Sequence, residues 1–346
     1  MNHKYTYLEN NNKDAAFHFS VEEYIVEHYP FNEPVFMIWQ ADNCVMLGKN
    51  QVVMAEVDID YAKQAGINIV RRSSGGGTIF TDLGTLLFTM ILPDEGADHS
   101  PSATYNVDMA KNLVALSIAD ALNKLGIPAK IEGRNDILVE NKKISGLAQY
   151  VRHGRICTHG SLLYDTDLEK LTRVLTVDES KISSKALQSV RSRVTNIKEH
   201  MRSQCSTAEF CDMLKEQLFS TMQVSKRELT DHDLIQINEI YRERYSNPTW
   251  TFQQSPKFTY HNSKRFSGGK VEVYFDIEKG FITSCSIKGD FLGVYPIREL
   301  EERFEGKLFE RKEIEEAVFE VSTKPYLGSI TKEEFLSCVR VTGFEP

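Results

Sequence analysis

The chain has 346 residues, 41% of them hydrophobic and 26% charged, with a formal net charge of −8. That is enough chain for two domains of ordinary globular composition, and the acidic balance excludes a dedicated nucleic-acid binder, which carries a basic excess. The N-terminal MNHKYTYLENNNKDAAFHFS lacks the apolar run of a signal peptide, and the most apolar stretches, such as Gly84–Leu92, are too short to cross a bilayer.

In chain order, Phe17–His28 patterns as an amphipathic helix with Phe17, Val21, Tyr24, Ile25 and His28 on one face. Val35–Gln40 and Cys44–Leu47 are short apolar runs separated by Ala41-Asp42-Asn43, the spacing of a hairpin. Asp60–Ala65 predicts a helix ended by Gly66, followed by strands at Ile67–Arg71 and at Thr85–Leu92, the latter closed by Pro93. Val107–Leu125 is the clearest helix: Val107, Ala110, Val114, Ile118, Ala121, Leu122 and Leu125 keep the 3.6 period, and Gly126 stands at its end. Strands return at Ile137–Glu140, Lys143–Ser145, Ile156–His159 and Ser161–Tyr164, and Thr207–Met222 is again helical. Strands beside helices without repeated βαβ units predict an α+β fold of mixed or antiparallel sheets rather than a doubly wound one. Asn247-Pro248-Thr249-Trp250 through Ser255-Pro256 has the composition of a domain edge. Beyond it, Lys270–Ile277 and Gly280–Ile287 form a hairpin turning at Glu278-Lys279, with helices around Ile297–Phe304 and Arg311–Val321. The expected division is residues 1–247, a catalytic domain, and residues 248–346, a small α/β accessory domain.

Six cysteines (Cys44, Cys157, Cys205, Cys211, Cys285 and Cys338) show neither CxxC nor Cys/His metal spacing. They read as reduced thiols of a cytoplasmic protein.

Three segments carry chemistry. Arg71-Arg72-Ser73-Ser74-Gly75-Gly76-Gly77-Thr78-Ile79-Phe80 sets three glycines between two strands. Their backbone is free to turn N–H groups toward a phosphate, and the two arginines add fixed positive charge. A glycine-rich hairpin turn satisfies the same residues, and neither Walker nor GxGxxG spacing is present. Gly133-Arg134-Asn135-Asp136 leads into Lys143-Ile144-Ser145-Gly146. Asp136 suits Mg²⁺, and Lys143 suits an α-phosphate; at ~4 Å and an effective dielectric of ~20 that contact is worth about 4 kcal/mol. A solvated turn pair, Lys142 and Lys143, is the plain alternative. Ser189–Ile197 places Arg191 and Arg193 in a polar run suited to clamping an anion, or simply to the surface.

Taken together and in order, RRSSGGG, TDLG, GRND, KISG, HGSLL and SVRSRVTN resemble the lipoate–protein ligase A family, within the biotin/lipoate protein ligase superfamily. The resemblance begins at Ser20-Val21-Glu22-Glu23, passes through Trp39 and Gly48 to Asn196, and resumes at Trp250-Thr251-Phe252 and Lys270–Gly280. It implies a catalytic domain like that of biotin–protein ligase and a mobile C-terminal domain. The implied reaction has two steps: ATP and lipoate give lipoyl-AMP and pyrophosphate, and a carrier lysine then displaces AMP. Lys143 is implied as the catalytic lysine bridging α-phosphate and acyl carbonyl. Arg72, Gly75, Gly76, Gly77, Thr78, Ile79, Phe80, Asn135 and Asp136 are implied at the nucleotide, with Asp136 on Mg²⁺. Trp39, Gly76 and His159 are implied at the lipoyl arm. The implied partner is a lipoyl carrier, a glycine-cleavage H-like protein or a 2-oxoacid dehydrogenase E2 lipoyl domain, and the enzyme is expected to be a monomer.

Two family histidines are replaced here by Thr81 and Thr158, both expected near the acyl or acceptor end, which would narrow carrier choice toward an H-like protein or else mark neutral drift at two rim positions. Two rival readings remain. An ATP-independent lipoyl or octanoyl transferase would act through a thioester at Cys157; the strand is expected to turn His159 to the opposite face from that thiol. A non-catalytic lipoate or lipoyl-AMP binding protein would have lost the Lys143, Asp136 and glycine-loop set that this chain retains.

Overall fold

The computed structural model describes residues 4–28, 33–94, 107–133, 135–175, 193–220, 222–252, 259–319 and 321–339. Arg134 and Arg191 of the motifs above lie outside them.

An eight-stranded mixed sheet organises the larger part. Its strands are β1 (Lys4–Leu8), β2 (Val35–Trp39), β6 (Thr85–Pro93), β7 (Lys130–Glu132), β8 (Asp136–Val139), β9 (Lys142–Arg152), β10 (Arg155–Leu163) and β11 (Gln223–Arg227). Across the sheet they run in the order β11-β1-β2-β6-β10-β9-β8-β7. Alternation along each strand divides the core in two. Phe36, Ile38, Leu86, Phe88 and Met90 pack under the helices Val107–Lys124 and Thr207–Phe219. Val35, Met37, Trp39, Leu87 and Ile91 pack on the other face against α1 (Ala15–His28).

The helix Val107–Lys124 follows its expected register: Ala110, Val114, Ile118, Ala121 and Leu122 are buried, and Gly126 takes φ 81° beyond its end. By contrast, α1 is not simply amphipathic. Residues from Ala15 to Val26 are buried nearly all round, whereas Phe17 is half-buried and His28 exposed. The helix Asp231–Ile240 covers the side of α1 that a surface helix would show to water. That leaves Glu22 and Glu23, at 2% and 4% exposure, needing internal partners.

Val35–Trp39 and Cys44–Leu47 do not form the expected hairpin. β2 pairs with β1 and β6, while β3 (Cys44–Leu47) crosses into a second sheet, between β4 (Asn68–Arg71) and β5 (Ile79–Thr81). The expected break at Gly160 is also absent, and β10 runs unbroken. A Cβ on Gly160 would stand 2.4 Å from the Phe88 ring and 2.8 Å from the Gly146 carbonyl oxygen. Glycine there lets three strands close on one another rather than ending one.

β8 and β9 join through Glu140 (φ 50°) and Asn141 (φ 63°), the backbone of a two-residue I′ turn. Lys143 therefore stands in a strand, not in the turn, and a bulge follows where the register shifts between Ile137 and Leu138.

The C-terminal part has its own core around an antiparallel sheet of β12 (Tyr260–Phe266), β13 (Gly269–Glu278) and β14 (Phe281–Gly289). The β13–β14 turn falls at Lys279 and Gly280, one residue later than expected, because both take positive φ. β12 is a strand that periodicity did not reveal. This part lies directly on the glycine loop: the Gly76 N–H donates to the Phe291 carbonyl at 3.0 Å, Gly289 N–H to Asn50 at 3.0 Å and Val151 N–H to Val294 at 3.1 Å. Among the described residues no helix is long and apolar enough to cross a membrane.

Candidate active site

The loop from Arg72 to Thr78 leaves β4, folds over the end of the large sheet and returns as β5. Beneath it is a cavity of about 160 Å³. Phe19 of α1, Trp39 of β2, Met46, Ile79 and Leu87 make an apolar interior, and Leu292 of the C-terminal part contributes to the wall. Arg72, Thr78, Asn135 and Lys143 are polar members of the lining, with His159 and Ser161 of β10.

The three glycines serve different ends. Gly76 has φ 91°, a left-handed value, and a Cβ there would meet Leu292 Cδ2 at 2.9 Å. At Gly75 a Cβ would stand 2.6 Å from the Phe291 carbonyl oxygen, so the C-terminal part forbids a side chain. Gly77 faces open space, with nothing within 4 Å.

The two arginines of the motif are held by backbone and hydroxyl oxygens rather than by carboxylates. Arg71 is 1% exposed, and its guanidinium donates to the carbonyls of Gly48, Lys49, Gln51, Trp250 and Thr251. Burial without a carboxylate partner pulls its pKa down to about 10. It staples the Gly48–Gln51 turn to the short helix Pro248–Thr251, and Trp250 returns its indole N–H to the Arg71 carbonyl at 2.9 Å. Arg72 lines the cavity, yet its donors go to Ser74 Oγ and the carbonyls of Met46, Gly75 and Gly77. It moulds the loop. Phe80 is 1% exposed, within the core of the smaller sheet rather than at the cavity; β5 turns Ile79 inward and Phe80 away.

Lys143 Nζ lies 2.8 Å from Asp136 Oδ1, each side chain about one-third exposed. The bulge sets the two on one side of the β8–β9 ladder at the edge of the cavity. Asn135 is fixed beside them, its side-chain N–H donating to the Leu147 carbonyl at 2.9 Å. Thr78 Oγ1 donates to Gln51 Oε1 at 2.8 Å.

His159 and Cys157 share a face of β10, since they stand two residues apart; the expected opposition does not hold. Together with Glu22 they form the one grouping among the described residues of three His, Cys, Asp or Glu donors close enough for a metal ion. Glu22 and His159 are already hydrogen-bonded at 2.9 Å, closer than the ~3.3 Å that tetrahedral zinc bonds of about 2.0 Å impose on two ligands. Cys157 is fully buried and does not line the cavity; burial, with Glu22 nearby, pushes its thiol well above the usual range. A thiolate nucleophile needs the reverse. Cys157→Ala is therefore expected to leave ATP-dependent ligation intact; loss of ligation by a folded variant, measured on a carrier domain, would restore the thioester route.

Thr81 and Thr158 also stand elsewhere than expected. Both are fully buried and neither lines the cavity. Thr158 points through the sheet toward the helix Val107–Lys124, accepting from Gln149 Nε2 at 2.8 Å, while Gln149 also reaches the Val107 carbonyl. Thr158 behind the sheet and Thr81 with no exposed surface cannot touch a carrier, so these threonines do not support a narrowed choice of acceptor. Conversely, Phe19, which the pattern did not single out, lines the cavity, and Glu22 and Ser74 lie buried behind it, hydrogen-bonded to His159. The signal for Glu22 was present, a carboxylate pair within an otherwise apolar helix.

Known proteins match the chain along nearly its whole length. The model of the lipoyl protein ligase A/B catalytic domain matches residues 14–219, and that of the bacterial lipoate protein ligase C-terminus matches residues 255–339. The lipoate-protein ligase LplJ of Bacillus subtilis (strain 168) is 36% identical over 339 residues, which cover 96% of this chain and 99% of the relative. Lipoate–protein ligase 1 of Staphylococcus aureus is 33% identical, covering 95% and 98%. Among solved structures, P. falciparum LipL1 in complex with lipoate superposes with a TM-score of 0.76 at 21% identity, covering 97% of this chain and 100% of that one. A bipartite lipoate protein ligase of Thermoplasma acidophilum, described with its E2 lipoyl domain, gives 0.64 at 25% identity, covering 75% and 100%. Lipoate-protein ligase A bound with ATP gives 0.60 at 24%, covering 73% and 99%. The chain therefore belongs to the lipoate–protein ligase family, and is an enzyme of the ligase class that joins lipoate to a protein carrier.

Proposed function

We propose that the cavity under the glycine loop is where this ligase makes lipoyl-adenylate from lipoate and ATP and holds it for transfer. The observation that carries the reading is a cation on a long side chain, Lys143, at the polar edge of an otherwise apolar cavity. The lipoyl arm lies among Phe19, Trp39, Met46, Ile79 and Leu87, where each buried methylene stabilises binding by about 0.8 kcal/mol. Its carboxylate then points to Lys143. A carboxylate oxygen attacks the α-phosphorus, the bond to the β-phosphate oxygen breaks, and pyrophosphate leaves. Lys143 Nζ sits against the charge that gathers on the α-phosphate oxygens. In the second step the neutral amine of a carrier lysine attacks the acyl carbon, AMP departs, and the amine loses its proton.

The nucleotide lies over the open side of Gly77, with Thr78 and Asn135 beside it. Among the described residues Asp136 alone supplies a carboxylate there, which fits Mg²⁺ held chiefly by phosphate oxygens and water. When bound, the ion would neutralise the β- and γ-phosphates. Asp136 would hold the ion, and the Lys143 ammonium beside it serves the α-phosphate. A lipoyl carrier domain is the acceptor, an H-like protein and a dehydrogenase E2 lipoyl domain both being candidates.

Ala148 is half-buried in the cavity wall, where its side chain can grow inward without disturbing the core. Ala148→Trp is expected to fill the acyl space and remove lipoate binding, measured by calorimetry, with the folding transition unchanged. Lipoate binding at native affinity in a folded Ala148→Trp protein would refute the cavity assignment.

A second substitution reads the nucleotide side. Gly77 needs no positive φ and its Cβ would meet nothing. Gly77→Ala should unfold like the native protein yet bind ATP more weakly, because the empty space is the nucleotide's. Unaltered ATP affinity would move the nucleotide away from this loop.

A further inference from the structure

A buried chain of hydrogen bonds, which neither step of the reaction uses, joins the floor of the cavity to the glycine loop. The Trp39 indole N–H donates to Thr89 Oγ1 at 3.0 Å, and Thr89 donates to Glu22 Oε1 at 2.6 Å. His159 Nδ1 stands 2.9 Å from Glu22 Oε2, and its Nε2 stands 2.6 Å from Ser74 Oγ. Ser74 Oγ accepts from Arg72 Nε at 3.0 Å, and Arg72 holds the carbonyls of Gly75 and Gly77 at 2.8 and 2.7 Å.

The direction of every link follows from its ends. An indole and a guanidinium only donate, and a carboxylate only accepts. Thr89 takes the indole N–H and gives its own hydrogen to Glu22. His159 must then carry its proton on Nδ1, facing Glu22, and accept the Ser74 hydroxyl at Nε2. In the opposite tautomer a lone pair would face the carboxylate, and the Ser74 hydrogen would have no acceptor among these partners. Ser74, His159 and Glu22 have the order of a nucleophilic triad. Ser74 is nevertheless 0% exposed, does not line the cavity, and has its oxygen engaged by Arg72, so no acyl group reaches it.

We propose that Ser74 and Glu22 are positioning residues that couple the two substrates, so that lipoate in the cavity tightens nucleotide binding at the loop and the reverse. Trp39 and His159 border the acyl space, and Arg72 sets the curvature of the loop through Gly75 and Gly77. Glu22, Ser74 and Thr89, the inner links, are buried and do not line the cavity, so water cannot stand in for a missing link there. A shift of either cavity-facing ring therefore reaches Arg72. This coupling rests on the cavity being the acyl site.

The test is calorimetry of lipoate and of α,β-methylene-ATP, each alone and with the other saturating; the methylene analogue blocks adenylation. The native protein is expected to show coupling of about fivefold or more, equal in both directions as linkage requires. In Ser74→Ala the chain is cut, and the factor should fall to about one while each ligand alone keeps its affinity. Glu22→Gln preserves shape but offers an N–H that reverses the chain, and should lose coupling likewise; it decides the matter if Ser74→Ala does not fold. A native factor of one, or an unaltered factor in the folded variants, overturns the proposal. Lipoate binding that survives Ala148→Trp would instead show that the cavity assignment itself has failed.

Discussion

Lys143→Ala is expected to abolish adenylate formation in a protein that folds normally. A cation about 4 Å from the α-phosphate, at an effective dielectric of about 20, contributes about 4 kcal/mol, or about a thousandfold in rate. The ion pair with Asp136 is one-third exposed on both sides and so adds under about 1 kcal/mol to stability. Adenylation and stability should therefore separate. Pyrophosphate release from lipoate and ATP reads the first, and thermal unfolding the second. Lys143→Arg should not rescue, because the forked guanidinium cannot replace a compact ammonium packed against Gly146, where a Cβ would stand only 2.9 Å from Lys143 Nζ. Near-native pyrophosphate release by Lys143→Ala would remove the lysine from the chemistry.

Gly76→Val should be nearly as damaging, and for a different reason. A β-branched side chain at φ 91° costs about 1–3 kcal/mol of backbone strain. Its Cβ would also collide with Leu292, and Gly76 donates its N–H to Phe291 across the same contact. Displacing this peptide moves the Gly75 and Gly77 carbonyls on which Arg72 depends. A misplacement of about 1 Å can cost about a hundredfold in rate. Both ATP affinity and turnover should fall, with a lowered unfolding temperature, whereas Gly77→Ala leaves stability alone. Equal stability of the two glycine variants would mean that the loop is less constrained than its φ values imply.

The sequence was most legible where structure is local. The helix Val107–Lys124 followed from its 3.6 period and Gly126, because nothing distant overrides a long amphipathic face. Lys143, Asp136 and the glycine loop were legible as a set through the order of motifs, and Trp39 and His159 do border the cavity. Pairing was harder to read. Ala41-Asp42-Asn43 has hairpin spacing, yet β2 and β3 find partners in different sheets, and β1 pairs in parallel with β11 more than two hundred residues away. β12 was missed because Tyr260–Phe266 is mostly polar and exposed, with no apolar alternation to mark it.

Side-chain direction was the other gap. Two adjacent arginines beside glycines suggest a phosphate clamp, but only the fold shows five carbonyls converging on Arg71 and three on Arg72. Phe80 follows Ile79 by one residue and so faces the opposite way, into the core. Thr158 is set behind the sheet by the same rule, and Cys157 is returned to the side of His159. A strand's period of two decides all three once its faces are known.

The most direct measurement is a crystal structure of the protein with a non-hydrolysable sulfamoyl analogue of lipoyl-adenylate. The lipoyl arm is expected between Trp39, Ile79 and Leu87, the sulfamoyl group beside Lys143 Nζ, and the adenosine over Gly77. An analogue bound elsewhere, or with its sulfamoyl group remote from Lys143, would contradict the site proposed here.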